Sequence, residues 1–460
     1  ACDPEQTMTD PYTGSYNAVY TSMAKIVAAG ADYTKAYFTY QEFFEKLRQE
    51  PARWGKPFAA LLGALDAQLE LGAAAIGGDA NEDAGKIIIG GNGYNPVIIA
   101  SASTGGAGIG AGYNADAVEG ITINSGTITA TGGFGAAGIG GGRESYVKDI
   151  LIKGGNITAT GGKYGAGIGG GNAINGGDGG DVNGLVIKGG TITATGGEGA
   201  AGIGGGEESE VEGLKIEELF YNTLNITATG GELGAGIGSG NADISSINIA
   251  LFYGTIKAQG GKNGPGIGAG NGNFGNINIT GAGKITATGL KSGCGIGSSD
   301  GEDGGNITIT GVKGHQDLVI DANAWWDTSS THNLSCSAAA IGSANAGCGN
   351  IKISNANVDI CSYGYASGIG SGKKSGTYTG NDMEITISNC TIKDNGRDRY
   401  GAGIGAGWDS QVKKITISDS IYSGGNIGGS NCTNNLWNMN DIESIEIYRS
   451  IIYAECTDSG

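Results

Sequence analysis

The sequence predicts an all-β solenoid: a right-handed parallel β-helix of about twelve three-strand coils, with a short helical cap or flank at its N-terminus. Three observations predict it. Glycine supplies 94 of 460 residues, against about 7 % in an average protein. A motif centred on Gly-Ile-Gly returns at intervals near thirty residues. Between its copies, short segments alternate apolar and polar residues with the period of a half-buried strand.

The glycines do not indicate collagen, because only six prolines are present and no Gly-X-Y period exists. The central isoleucine of the motif falls at Ile109, Ile139, Ile168, Ile203, Ile237, Ile267, Ile296, Ile369 and Ile404, with Ala-Ile-Gly at Ile76 and Ile341 and Asn-Ile-Gly at Ile427. Most spacings are 28 to 35 residues; 45 separate Ile296 from Ile341, and 23 precede Ile427. Each copy leads through a polar turn into a strand such as Gly120-Ile-Thr-Ile123, then a tight turn, then a second strand such as Thr127-Ile-Thr-Ala-Thr131. Three strands and three turns make one triangular coil, and stacking the coils buries isoleucine on isoleucine. No helical segment lies between the strands, which excludes a βαβ fold. The glycines around each isoleucine have two readings: corners that need φ > 0, or a flat, nearly bare face open to a glycan, the helices or another subunit.

Two regions follow, 1–72 with helices and 73–460 as the β-helix. In the first, Ala31 to Arg48 has apolar and aromatic residues at helical spacing. Pro51 closes that segment, and Pro57 opens a helix from Phe58 to Leu71 that carries Leu61, Leu62, Leu65 and Leu69. Its expected job is to shield the first coil, whose open edge would otherwise aggregate. At the other end, Glu443, Glu446, Arg449 and Glu455 punctuate the last strands, as suits a protected edge.

Net charge is -18, from 27 basic and 45 acidic residues, which disfavours nucleic acid and gives anionic lipid no attraction. No run of eighteen apolar residues is present, so no transmembrane segment is expected. Eight cysteines, without CxxC pairs and with two histidines, make a zinc site a poor expectation. They read either as small stacked hydrophobes or as disulfides. Cys2, before the polar segment Asp3–Thr7, is a candidate for the lipid anchor of a bacterial lipoprotein.

Chemistry is expected where turns lengthen, since a rigid scaffold positions such loops at little cost. Three departures are assigned to one corner: Glu217 to Asn222, Ala250 to Gly254, and a long loop insertion at 311–335 that holds both histidines. Together they predict an aromatic-lined groove. Phe220, Tyr221, Phe252, Tyr253, Trp325 and Trp326 offer faces for sugar rings, and His315 and His332 offer hydrogen bonds. Asp317, Asp321 and Asp327 are the candidate catalytic carboxylates, with Glu217 and Glu218 nearby, because glycosidic cleavage needs a protonated and an ionised acid. The bland alternative packs the tryptophans against the rod and leaves the aspartates solvated. No metal or other cofactor is required; Asp300-Gly-Glu-Asp303 offers oxygen ligands for Ca²⁺ but matches no calcium-loop pattern. Arg397, Asp398, Arg399, Tyr400, Trp408 and Asp409 form a further place where an acidic sugar could be held.

Gly135-Ala-Ala-Gly-Ile-Gly-Gly-Gly142 through Ile157-Thr-Ala-Thr-Gly-Gly162 resembles the Gly-Ile-Gly-rich repeats of bacterial surface proteins in the pectate-lyase-like superfamily of right-handed parallel β-helices. The resemblance spans 73 to about 430. It implies a carbohydrate context at or outside the cell surface, shared by lyases, glycoside hydrolases, sugar transferases and adhesins. It carries no catalytic residues onto this chain, and the sparse basic residues argue against uronate elimination. The expectation is therefore an extracellular glycoside hydrolase acting on an oligo- or polysaccharide through paired carboxylates. A non-catalytic glycan-binding or adhesive surface rod is the alternative, with the glycine face available for oligomerisation.

Overall fold

The computed structural model describes residues 4–30, 37–38, 51–71, 74–75, 84–115, 117–173, 180–220, 222–299, 304–325, 337–345, 347–373, 382–396, 399–408, 410–429 and 442–454. Helices occupy the N-terminal region: α1 (Pro4–Thr9), α2 (Pro11–Ala28) and α3 (Pro51–Leu71). Asp10 caps α2, accepting the Thr13 N–H at 3.2 Å and the Thr13 hydroxyl at 2.6 Å. The helix from Pro57 in fact starts at Pro51 and carries Pro57 in its interior. Within the segment expected to be helical, Tyr37–Phe38 is a strand that pairs in parallel with Ala74–Ala75 and lies against Val97–Ser101; residues 31–36 and 39–50 are outside the described residues.

α3 packs on α2 through its small residues. Ala64 and Ala67 are buried with Val19, while Leu61, Leu62 and Leu65 face outward. Gly63 shows how closely the helices approach, since a Cβ there would sit 2.0 Å from the Tyr12 carbonyl oxygen. Three of the four leucines on which the sequence argument rested, Leu61, Leu62 and Leu65, are thus on the exposed face.

From Ala84 onward the chain winds through three parallel sheets of twelve, twelve and eleven strands. The first sheet runs from Ala84–Ile89 to Ile442–Tyr448, the second from Val97–Ser101 to Ile451–Ala454, and the third from Ile109–Gly110 to Ile427–Gly428. Strands adjacent in a sheet are always three apart in order, as a β-helix requires. Register is kept by the interior columns. Ile128 pairs with Ile157, Ile192, Ile226, Ile256, Ile285 and Ile320 in turn, and Ala130, Ala159, Ala194 and Ala228 form the next column. A slip by one residue would turn every isoleucine outward. These columns form one continuous core from Ile89 to Tyr422.

The two readings of the glycines are now separated. After the central isoleucine, glycine has φ from +134° to +142° in each described coil from Gly110 to Gly428. At Gly140 a Cβ would lie 2.0 Å from the carbonyl oxygen of Gly169 in the next coil. Residues 138–142 are also buried. The bare glycine face suggested for oligomerisation is therefore not a free surface: neighbouring coils and turns already cover it.

One charged exception in the core is satisfied. Asp394 stands in the column that Ala322 and Ile360 occupy in the coils before it. Its carboxylate meets the Arg399 guanidinium through both oxygens and accepts N–H groups from Gly396 and Gly425. Burial alone would raise its pKa, but Arg399 together with the Gly396 and Gly425 N–H groups outweighs burial and holds it below the usual carboxylate value. The Tyr422 hydroxyl lies 3.1 Å from the same carboxylate.

Cys348, Cys361 and Cys390 are free buried thiols. Burial pushes all three up, Cys348 to about 12. Cys294 packs among Ala324, Ala338, Ala339 and Ala344. For these positions the stacked-hydrophobe reading describes the structure; Cys2, Cys336, Cys432 and Cys456 lie outside the described residues.

Candidate functional site

The corner between the first and second sheets carries the first two lengthened turns. The Glu218 side chain is buried there, and its Oε2 accepts backbone N–H groups from Phe252, Tyr253 and Gly254 at 2.6, 2.9 and 2.8 Å. That carboxylate is consumed in shaping the turn of the following coil. Its neighbour Glu217 pairs with Lys188 at 3.4 Å. Phe220 and Phe252 meet edge to face at 5.7 Å, and Tyr253 beside them is 78 % exposed. Tyr221 is outside the described residues.

Two coils on, at the same corner, residues 312–317 form the third turn. Gln316 ties it down by donating to the Asn389 carbonyl and accepting from the Thr391 hydroxyl. His315 and Asp317 stand 3.8 Å apart, both about two-thirds exposed.

The single long loop expected over 311–335 is not what forms. Leu318–Trp325 is a full strand of the second sheet, with Leu318, Ile320, Ala322 and Ala324 buried. Its alternation of Leu, Ile and Ala with polar residues is the same half-buried pattern as in every other coil, and the pull of that core overrides the loop reading. Seven residue steps along a strand span about 23 Å, so Trp325 sits at the opposite corner from Asp317. The two cannot line one groove. Trp326, Asp327 and His332 lie outside the described residues.

The strand instead gives Asp321 a partner the sequence reading missed. Asp321 is in register with Asp359 on the next coil, and Asp359 in turn with Lys393. Asn323 donates to Asp321 Oδ1 at 2.7 Å. All are outward-facing on the second sheet. Aligning the coils by their isoleucine columns, rather than searching for long turns, would have brought Asp359 beside Asp321.

At the corner between the second and third sheets, joined by Trp408 from the turn that follows the third, aromatic rings gather over three successive coils. Trp325, 41 % exposed, meets Tyr363 edge-on at 6.4 Å. Two residues later Tyr365 stacks on Tyr400 at 5.3 Å, and Trp408 abuts both, at 5.2 and 5.9 Å. The Lys373 ammonium lies 4.6 Å from the Tyr365 ring centre. Backbone bonds fix the cluster, from Tyr400 N–H to the Gly364 carbonyl and from Trp408 N–H to the Tyr365 carbonyl, both 2.7 Å. Tyr363, Tyr365, Tyr400 and Trp408 are all half-buried, leaving part of each ring to solvent. Arg399, read from the sequence as a contact for an acidic sugar, instead points inward to Asp394. Arg397, Asp398 and Asp409 are outside the described residues.

Asp300, Glu302 and Asp303, the calcium candidates, also fall outside. Among the described residues no group of three or more His, Cys, Asp or Glu is arranged to hold a metal ion. No helix among them is long and apolar enough to cross a membrane.

A family model described as a beta helix repeat matches residues 121–143, 150–172, 185–207, 225–241 and 277–300. It supports a right-handed parallel β-helix. No curated protein and no solved structure matches the chain.

Proposed function

We propose that this chain is a polysaccharide-binding rod displayed outside the cell, without a catalytic role. The observation that carries the reading is the aromatic strip of Trp325, Tyr363, Tyr365, Tyr400 and Trp408 at one corner of consecutive coils. Partly exposed rings held by packing suit the apolar faces of sugars. The adjoining strands supply Asp321, Asn323 and Asp359 for hydroxyl groups. A lipid anchor at Cys2 is part of the same proposal and would place the rod on a cell surface. The turn bearing Phe220, Phe252 and Tyr253, which are 59, 47 and 78 % exposed, is a second contact.

A second reading, glycoside hydrolysis, is favoured by one relationship. Strands about 4.8 Å apart bring Asp321 and Asp359 within reach of the ~5 Å carboxyl separation used by retaining enzymes. Against it, the pair stands on an open sheet face, where water has access from the whole outer side.

Affinity electrophoresis and sedimentation against a panel of soluble and insoluble polysaccharides test both. Binding is expected for at least one glycan, weakened about tenfold by Tyr365→Ala or Trp408→Ala, with no release of reducing sugar. Retention unchanged in both aromatic variants would refute the proposal. Sugar release abolished by Asp321→Asn and by Asp359→Asn would replace it with the hydrolase.

A further inference from the structure

The same second sheet carries, in the coils before Asp321, a surface of a different kind. Four successive strands, Thr127–Thr131, Asn156–Thr160, Gly190–Thr195 and Leu224–Thr229, pair in unbroken register. Their outward positions are Thr127, Thr129 and Thr131; Asn156, Thr158 and Thr160; Thr191, Thr193 and Thr195; and Asn225, Thr227 and Thr229. Every one is exposed or half-exposed, and none is charged. On a molecule of net charge -18, this is a block of neutral hydroxyl and methyl groups.

The block is a two-dimensional lattice. Neighbours across strands are about 4.8 Å apart, and neighbours along a strand about 6.7 Å apart. Among the described residues no threonine hydroxyl in the block bonds to another protein group. Asparagines stacked elsewhere behave differently: Asn278 donates to Asn248 at 3.0 Å and Asn389 to Asn355 at 2.8 Å, satisfying one another. The lattice also lies on stiff ground. β-Branched threonine has few χ1 choices, and each strand is anchored behind by buried pairs such as Ile128 and Ala130 or Ile157 and Ala159. Little freedom is left to lose on contact.

We propose that this lattice docks onto the surface of an insoluble, uncharged polysaccharide, with sugar chains parallel to the rod axis and one sugar facing each coil. The inference rests on the glycan-binding reading above and adds the charge and physical state of the substrate. A single flexible chain could meet only one column of hydroxyls, whereas three parallel columns match several chains fixed side by side. The coil height is close to the advance of one pyranose in an extended chain. With a net charge of -18 and no cation on the block, an anionic uronate polymer gains no attraction there.

The test uses the full chain and the double variant Thr158→Lys/Thr193→Lys. Lysine is compatible with the fold at such positions, since Lys257 continues the Thr158–Thr193–Thr227 column. Sedimentation is measured with microcrystalline cellulose and chitin powders, and affinity electrophoresis with the soluble glycans that the wild type retains. The expected result is that the wild type sediments with at least one powder, that the variant loses about tenfold in partition, and that its retention by soluble glycans is unchanged. Equal sedimentation of variant and wild type overturns the inference. So does a wild type that binds soluble glycans but neither powder, an outcome that leaves the aromatic strip standing. Failure to bind any glycan removes both readings. If the wild type instead slows ice-crystal growth and the variant does not, the lattice recognises ordered water and the inference is wrong.

Discussion

Glu218 holds the backbone of Tyr253 from the coil before it, with Oε2 2.9 Å from the Tyr253 nitrogen. The same oxygen accepts from Phe252 and Gly254, so one carboxylate satisfies three N–H groups of a turn that makes no other claim on the core. Aromatic residues at that corner are thus presented by an acid that sequence reasoning counted as a possible catalyst.

Glu218→Ala leaves those three N–H groups without their acceptor. Stability of the surrounding coils should fall by about 3 kcal/mol, with the amides of Phe252, Tyr253 and Gly254 losing hydrogen-exchange protection first. Glu217→Ala, which removes only the exposed pair with Lys188, should cost under about 1 kcal/mol.

Arg399→Met strands the buried Asp394 carboxylate and should destabilise the last coils by about 3–5 kcal/mol. The double variant Asp394→Ala/Arg399→Met should recover most of that loss, because alanine is the residue of this column in earlier coils. pH dependence follows from the sign of the shift. The Asp394 pKa is lower in the folded chain than its ordinary 3.8, so its contribution is present above about pH 4 and is lost as pH falls through the folded value. Urea denaturation at pH 6 and pH 3 should show a larger drop at pH 3 in the wild type than in the double variant, since Asp10, Asp419 and Glu446, also lowered, contribute equally to both.

Backbone conformation sets a third expectation. Leu233 has φ +69° at a corner where other coils place Gly135 and Gly199, at +78° and +73°. Leu233→Gly should stabilise by about 1 kcal/mol. Gly238→Ala should do the reverse and more strongly, since the new Cβ would fall 1.8 Å from the Gly268 carbonyl oxygen. Denaturation midpoints of the two variants should lie on opposite sides of the wild type.

Thiol chemistry gives the fourth. Cys348, Cys361 and Cys390 are buried and their thiols are pushed up, so thiolate is scarce at neutral pH. Mass spectrometry after alkylation of the native protein should find these three unmodified, and alkylated only once denaturant is added.

The coil was legible because its physics repeats. An isoleucine every second residue, and a glycine wherever the next coil's carbonyl comes close, leave the same trace near every thirtieth residue. What defeated the sequence reading was the residue that departs from the repeat. Leu318–Trp325 was hidden among histidines and tryptophans, although its Ile320 and Ala322 continue the columns of Ile285 and Ala287. α3 misled for the opposite reason: its leucines look like a core, but close approach to α2 demands Gly63 and alanine. Asp359 escaped notice because its partner lies 38 positions earlier, a separation that means adjacency only after the coils are aligned.

The unbroken register of the second sheet also makes length an adjustable property. Each strand from Thr127–Thr131 to Leu224–Thr229 presents its neighbours with the same isoleucine and alanine contacts on both sides. Excising one complete turn would bring together two surfaces that already fit, and duplicating one would insert a piece that fits on either side. The hydroxyl surface could therefore grow or shrink during evolution in whole-coil steps, with no new junction to be selected each time.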